Sequence, residues 1–397
     1  MPAKPKPQTS SKPAQPPIYL PAEALKGRGT AWALAHRFSR DEREQFDDGW
    51  GTLTQQADEQ TLPPRTEIIE ERARKILTGN QSPDIPFDLS INPYRGCEHG
   101  CVYCFARPTH SYLNLSPGLD FETRIIAKVN AAERLRAEFA RPSYRPQLLC
   151  LGAATDAYQP IERKLRITRG LIEVLSEHRH PVSIVTKSAG IERDLDLLAP
   201  MAQAGLVSVY VSVTTLDGHL ARILEPRAAA PQRRLQLIKT LAEAGVPVGV
   251  SVSPLIPFLN EPELEWILEA AAALGARTAF SIPLRLPWEV NPLFQDWLQQ
   301  HVPDKAARVM ARVREMRDGR DNDSRFGQRM RGVGLWADLM HQRMKKACAR
   351  LGLNRERFAL DLTQFQRPQA LPGTSVQEQG AGQCDLDSEA SRQGQLF

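Results

Sequence analysis

Long apolar runs are absent from this chain. Although 42% of its 397 residues are hydrophobic, no uninterrupted stretch approaches the roughly 18 residues that suggest a membrane-spanning helix. That argues against a membrane-embedded function, and no membrane partner is expected. Cysteine is scarce as well: there are six, and Cys150, Cys348 and Cys384 stand far apart, which argues against a disulfide framework. The opening "MPAKPKPQTSSKPAQPP" has early lysines but no apolar core behind them, so it reads as neither a secretory signal nor an inserted anchor. The expected location is a reducing cytoplasm. Neither charge sign dominates: 51 Lys and Arg face 46 Asp and Glu, a net +5, which permits contact with a polyanion without demanding it.

Residues 1–17 are Pro, Lys, Ser and Gln with too little apolar content to offset the entropy of ordering, and they are expected to be disordered. Residues 18–85 read as an accessory extension wrapping a core. A regular pattern then runs over 86–290. Six β-rich runs, "PFDLSIN" (86–92), "LLCLGAAT" (148–155), "PVSIVTK" (181–187), "LVSVYVSVTT" (206–215), "PVGVSVSPLI" (247–256) and "RTAFSIPL" (277–284), alternate with amphipathic segments. Such alternation predicts a parallel α/β sheet with right-handed crossovers, open or curled into a full or partial barrel. Helical patterns fill 291–367, and the Gln, Gly and Ser-rich stretch 368–397 is expected to be a flexible tail.

The other three cysteines fall within "NPYRGCEHGCVYCFARPTH" (92–110) as Cys97, Cys101 and Cys104. This C-x3-C-x2-C group follows the first predicted strand directly, at the face where parallel α/β folds carry their active sites. Three close thiolates suit a soft metal centre. Zinc is one option, with His99 or His110 completing the set. An iron–sulfur cluster is the other: it normally takes four cysteines, so three leave one iron open.

The pattern, with Tyr103 in its aromatic slot, resembles the signature of the radical S-adenosylmethionine (SAM) superfamily. That resemblance implies a partial (β/α)6 TIM-like barrel with a helical C-terminal extension, a [4Fe–4S] cluster on the three cysteines, and S-adenosyl-L-methionine on the open iron. The reduced cluster would split SAM into methionine and a 5′-deoxyadenosyl radical, with the electron coming from an external flavodoxin- or ferredoxin-type donor. "ATDAYQPIE" (154–162), "VTKSAGIERD" (185–194), "VSVTTLD" (211–217), "ILEPRAAAPQRRL" (223–235) and "SVSPLIPFLNE" (251–261) further resemble the strand-end motifs of the group related to spore photoproduct lyase, which implies DNA or a nucleotide as substrate. Carried over by position, Tyr103 would lie near the adenine, Gly152, Thr155 and Asp156 near the methionine amino group, and Lys187 and Ser212 near the ribose or carboxylate. The "SPLIP" turn at 253–257 would face the adenine.

The lyase's hydrogen-donating cysteine falls here on Ala153, and strand alternation turns Cys150 the other way, which makes it a core thiol. Glu122 and Lys128 read as the surface of a helix, while Arg95, His99 and His110 crowd the cysteine loop. At the far end "QGQLF" closes the polar tail, and Gln393, Leu396 and Phe397 resemble the motif by which bacterial repair proteins dock on the replication sliding clamp. Two alternatives stay open: radical chemistry on a protein or RNA substrate, and a non-catalytic zinc-binding module.

Overall fold

In the computed structural model the described residues are 28–30, 34–38 and 65–368. The expected disorder of 1–17, most of the extension, and the tail with Gln393, Leu396 and Phe397 lie outside them.

Ten strands are described: β1 (Glu67–Glu71), β2 (Leu77–Gly79), β3 (Leu89–Ile91), β4 (Tyr94–Arg95), β5 (Arg124–Lys128), β6 (Leu149–Leu151), β7 (Val182–Thr186), β8 (Val207–Ser212), β9 (Val248–Leu255) and β10 (Thr278–Pro283). The six predicted strands become β3, β6, β7, β8, β9 and β10, which pair in parallel in chain order. β2 adds antiparallel beside β3. Among the described residues β2 and β10 form the two edges of this sheet. The order is that of the staves of a partial barrel. β8 has Val207, Val209 and Val211 wholly buried and only Tyr210 partly open, the near-continuous burial of strands covered on both faces.

Helices Ile167–Glu177, Leu195–Gln203, Pro231–Glu243 and Leu264–Ala273 follow β6, β7, β8 and β9 in turn. Each places leucine or isoleucine at helical spacing and buries that face. After β10 the chain turns helical over Val290–His301, Pro303–Glu315 and Gly334–Leu351. Arg343 on the last of these clamps Glu265 at 2.6 Å and Glu261 at 3.0 Å.

One expectation is corrected. The segment holding Glu122 and Lys128 is not a helix surface: after a single turn at Asp120–Thr123 it becomes β5, sandwiched between β1 and β4 in a second, three-stranded sheet. "RIIAK" carries two β-branched residues, which favour a pleated, half-buried surface. Ile125 and Ala127 are fully buried there, and so is the Glu122 carboxylate.

The turn after β9 hangs on Asn260, which is fully buried. Its Oδ1 accepts from Ile256 N at 2.6 Å, and its Nδ2 donates to Thr214 O at 2.8 Å and Pro254 O at 2.9 Å. Asn260→Ala strands these buried partners and should cost about 2–4 kcal/mol of unfolding free energy, read from urea-induced unfolding; a loss below about 0.5 kcal/mol would show that the turn is held by other contacts.

Candidate functional site

β3 delivers the chain to the carboxyl end of the parallel sheet, and the cysteine loop begins there. Its shape is set by Arg107, whose guanidinium is fully buried. Nε donates to Cys101 O at 2.9 Å, and Nη1 to Pro117 O at 3.2 Å and Gly118 O at 2.9 Å. Nη2 reaches Gly100 O at 3.3 Å and the Glu122 carboxylate at 2.6 Å. Cys97 N donates to Phe121 O at 2.9 Å, and Val102 N to Leu224 O at 3.1 Å. The carbonyls of Gly100 and Cys101 are thus fixed by one cation and its counter-ion before any ligand arrives.

Cys97 and Cys101 are buried, Cys104 is partly so, and all three are free thiols. Burial raises the pKa of each, with Cys101 pushed up to about 12. A thiol ligates metal as the thiolate, so a cationic iron centre would supply the charge that burial withholds. Three free thiols on one short loop are soft donors of the kind an iron–sulfur cluster takes. The donor set therefore fits a cluster.

The end of β6 braces the loop from the side. Thr155 Oγ1 donates to Gly96 O at 2.7 Å, and Gln159 Nε2 donates to the same carbonyl at 3.2 Å. Gly152 has φ +85°, and an added Cβ would sit 3.1 Å from Thr155 O and 3.2 Å from Val185 O; the turn needs glycine. Asp156 accepts from Thr186 Oγ1 at 2.8 Å, Lys187 N at 2.7 Å and Tyr158 N at 2.9 Å, with His99 Nδ1 at 3.4 Å. Burial alone would raise its pKa, but His99 and the backbone donors hold it at about 2. Asp156 thus ties the ends of β6 and β7 to the cysteine loop.

A second buried network lies beneath Tyr103. The Tyr103 hydroxyl donates to Glu225, which also pairs with Arg234 and accepts from Thr214 Oγ1 at 2.6 Å. Against its burial, Arg234 and Lys187 hold Glu225 at about 2. Ser212 is buried, and its carbonyl accepts from Arg234 Nη1 at 3.1 Å. Lys187 is part-exposed, with its Nζ 5.9 Å from the centre of the Tyr103 ring. Burial would lower the Lys187 pKa, but the neighbouring Cys101 and Glu225 leave it raised.

The predicted residues thus fall into two braced groups, Gly152, Thr155 and Asp156 on one side and Tyr103, Lys187 and Ser212 on the other. Of the three residues expected to crowd the loop, His99 joins the site through Asp156, Arg95 pairs with Glu71 at 3.4 Å, and buried His110 meets Arg124 O at 3.1 Å. Cys150 is a buried core thiol in β6. Sequence reasoning missed Arg107, Gln159, Glu225 and Arg234. All four stand inside quoted motifs, but nothing local distinguishes a buried charged side chain from a solvated one.

Arg234→Met leaves Glu225 buried without its paired guanidinium and should cost about 3–5 kcal/mol in denaturant unfolding; a cost under about 1 kcal/mol would mean that water or Lys187 compensates the carboxylate. Because the folded pKa values of Asp156 and Glu225 lie below their ordinary 3.8 and 4.5, their stabilisation is complete above about pH 4.5 and is lost as pH falls through about 2. Unfolding free energy measured between those pH values should fall more steeply in the parent than in a paired Asp156→Asn, Glu225→Gln variant.

A family model described as the radical SAM superfamily matches residues 91–271, which contain the whole cysteine loop and β6 to β9. An uncharacterised protein of Mycobacterium tuberculosis is 40% identical over 234 residues, 58% of this chain and 68% of the relative. An uncharacterised protein of Methanocaldococcus jannaschii is 27% identical over 240 residues, 60% of this chain and 85% of that one. Among solved structures, a spore photoproduct lyase mutant superposes with a TM-score of 0.51 at 15% identity, covering 72% of this chain and 80% of its own. Another lyase mutant, solved with bound AdoMet and dinucleoside spore photoproduct, matches equally well. At that identity the likeness is one of fold, and it agrees with the partial barrel. With its matched family model, its relatives and its fold, the chain belongs to the radical SAM superfamily and is an enzyme of that group.

Proposed function

We propose that Cys97, Cys101 and Cys104 hold a [4Fe–4S] cluster whose remaining iron takes S-adenosyl-L-methionine, and that the enzyme acts on DNA or a nucleotide. The observation that carries the cofactor reading is the set of three free thiols on one Arg107-braced loop at the carboxyl end of β3. When bound, the cluster would supply one electron to the sulfonium, whose C–S bond would break to release methionine and leave a 5′-deoxyadenosyl radical able to abstract hydrogen from a substrate.

The chain's own residues then have distinct tasks. Lys187, part-exposed and cationic, offers a partner to the carboxylate or ribose of the cofactor. Tyr103 offers its ring to the adenine while its hydroxyl stays engaged with Glu225. Gly152 permits close approach of backbone at the β6 end, beside Thr155 and Asp156. Ser212 lines the same group through the turn that Arg234 fixes.

The substrate reading is supported by the strand-end motifs and by the dinucleoside bound in a structural neighbour. Ala153 stands where the lyase's hydrogen-donating cysteine aligns, which favours a different outcome for the substrate radical. The electron is proposed to come from a flavodoxin or ferredoxin, and Gln393, Leu396 and Phe397 are proposed to dock on the replication sliding clamp.

Anaerobic reconstitution with iron and sulfide, then reduction with SAM, should give 5′-deoxyadenosine by chromatography. Cys101→Ala should give none, and a product equal to the parent's would refute the assignment. Addition of DNA oligonucleotides should raise the yield if DNA is the substrate; stimulation by a protein or RNA instead would redirect the substrate reading. Deleting residues 393–397 should abolish retention on immobilised sliding clamp while leaving SAM cleavage intact; equal retention would reject the docking motif.

A further inference from the structure

The Arg107–Glu122 pair has a second set of partners that cofactor binding does not require. Glu122 lies wholly buried, with Oε1 2.6 Å from Arg107 Nη2. The same carboxylate accepts from Gly29 N at 2.8 Å and Thr30 Oγ1 at 3.0 Å, and Glu122 O accepts from Arg28 Nη1 at 2.9 Å. Three consecutive residues of the amino-terminal extension, more than 90 positions away in the chain, are therefore bound to the residue that anchors the cysteine loop.

The fit there leaves no room for a side chain. A Cβ on Gly29 would fall 1.7 Å from the Gly100 carbonyl oxygen, and Gly100 immediately precedes Cys101. A Cβ on Gly100 would sit 2.8 Å from Glu122 Oε2 and 3.2 Å from Gly29 N. Backbone thus lies directly against backbone beside Cys101. Further along the extension, Leu34 O accepts from Ser116 Oγ at 2.9 Å, and Arg37 pairs with Glu289 at 2.8 Å. Glu289 follows β10, the last parallel strand, so the described parts of the extension are fixed at both ends of the strand series.

We propose that residues 28–30 form a built-in cover over the Gly100 side of the cysteine loop, and that Glu122 is the positioning residue that holds cover and loop together. The cover limits access of solvent, thiol reagents and dioxygen to the loop thiols. Its link to a cluster rests on the cofactor reading above; the cover itself does not.

Two substitutions loosen it without touching a cysteine: Gly29→Ala, whose methyl collides with Gly100, and Thr30→Val, which removes one donor to Glu122. Gly79→Ala in β2, where a Cβ meets nothing within 4 Å, is the control. The full-length chain, reduced and before iron and sulfide are added, is treated with iodoacetamide, and labelling is followed at each cysteine by peptide mass spectrometry. Gly29→Ala should label the loop cysteines at least about tenfold faster than the parent, because one lost hydrogen bond to a charged group is worth about a factor of ten in the open population. Thr30→Val should rise in the same direction. Cys150 and Cys348, buried elsewhere, should keep the parent rate and so report any global unfolding.

Parent-rate labelling of the loop in both variants would overturn the proposal, and so would a parallel rise at Cys150 and Cys348 in both. Should Gly29→Ala fail to fold, Thr30→Val is judged by the same criteria. After reconstitution, the iron–sulfur absorbance should bleach faster in air in the two variants than in Gly79→Ala. If the parent takes up no cluster, the cofactor reading fails, while the labelling rates still decide whether the cover exists.

Discussion

The buried pair of Arg107 and Glu122 is the constraint on which the site depends. A buried ion pair gains little net stability, because removing two charges from water costs several kcal/mol per ion. It is tolerated where the remaining donors and acceptors are satisfied, and here Arg107 distributes its hydrogen bonds over the carbonyls of Gly100, Cys101, Pro117 and Gly118. What the pair contributes is geometry: a loop with no regular backbone ladder of its own is fixed from beneath by a rigid, planar cation. The carboxylate that neutralises this cation also receives Gly29 and Thr30, so the anchor of the loop is shared with the amino-terminal extension.

Around that anchor the site balances its charges locally. Asp156 faces His99 and backbone donors, while Glu225 faces Arg234 and the nearby Lys187. Both carboxylates stay ionised in surroundings that would otherwise neutralise them, and both tie a strand end to the cysteine loop or to Tyr103. Preorganisation of this kind means that a ligand arriving at the loop need not order the chain first.

The parallel core was legible in the sequence because its signals are local. "LVSVYVSVTT" and "PVGVSVSPLI" announce covered strands, and the amphipathic stretches between them bury one face each. The cysteine loop was legible from spacing alone. Glu122 was not: read against "LDFETRIIAKV" it looks like a solvated helix position, because its partners Arg107, Gly29 and Thr30 come from other parts of the chain. The β5 strand was misread for the same reason, since its pairing with β1 depends on a segment more than 50 residues earlier. Arg234 and Glu225 belong to the same class, charged residues that only the assembled fold brings together.

The central claim is that three thiolates leave one iron open for the cofactor. The most direct measurement is the electron paramagnetic resonance spectrum of the anaerobically reconstituted, reduced protein with and without S-adenosyl-L-methionine. The account predicts a [4Fe–4S]⁺ signal whose g values shift on adding the cofactor and which is lost in Cys101→Ala. A cluster signal indifferent to S-adenosyl-L-methionine, or one that survives the loss of Cys101 unchanged, would contradict it.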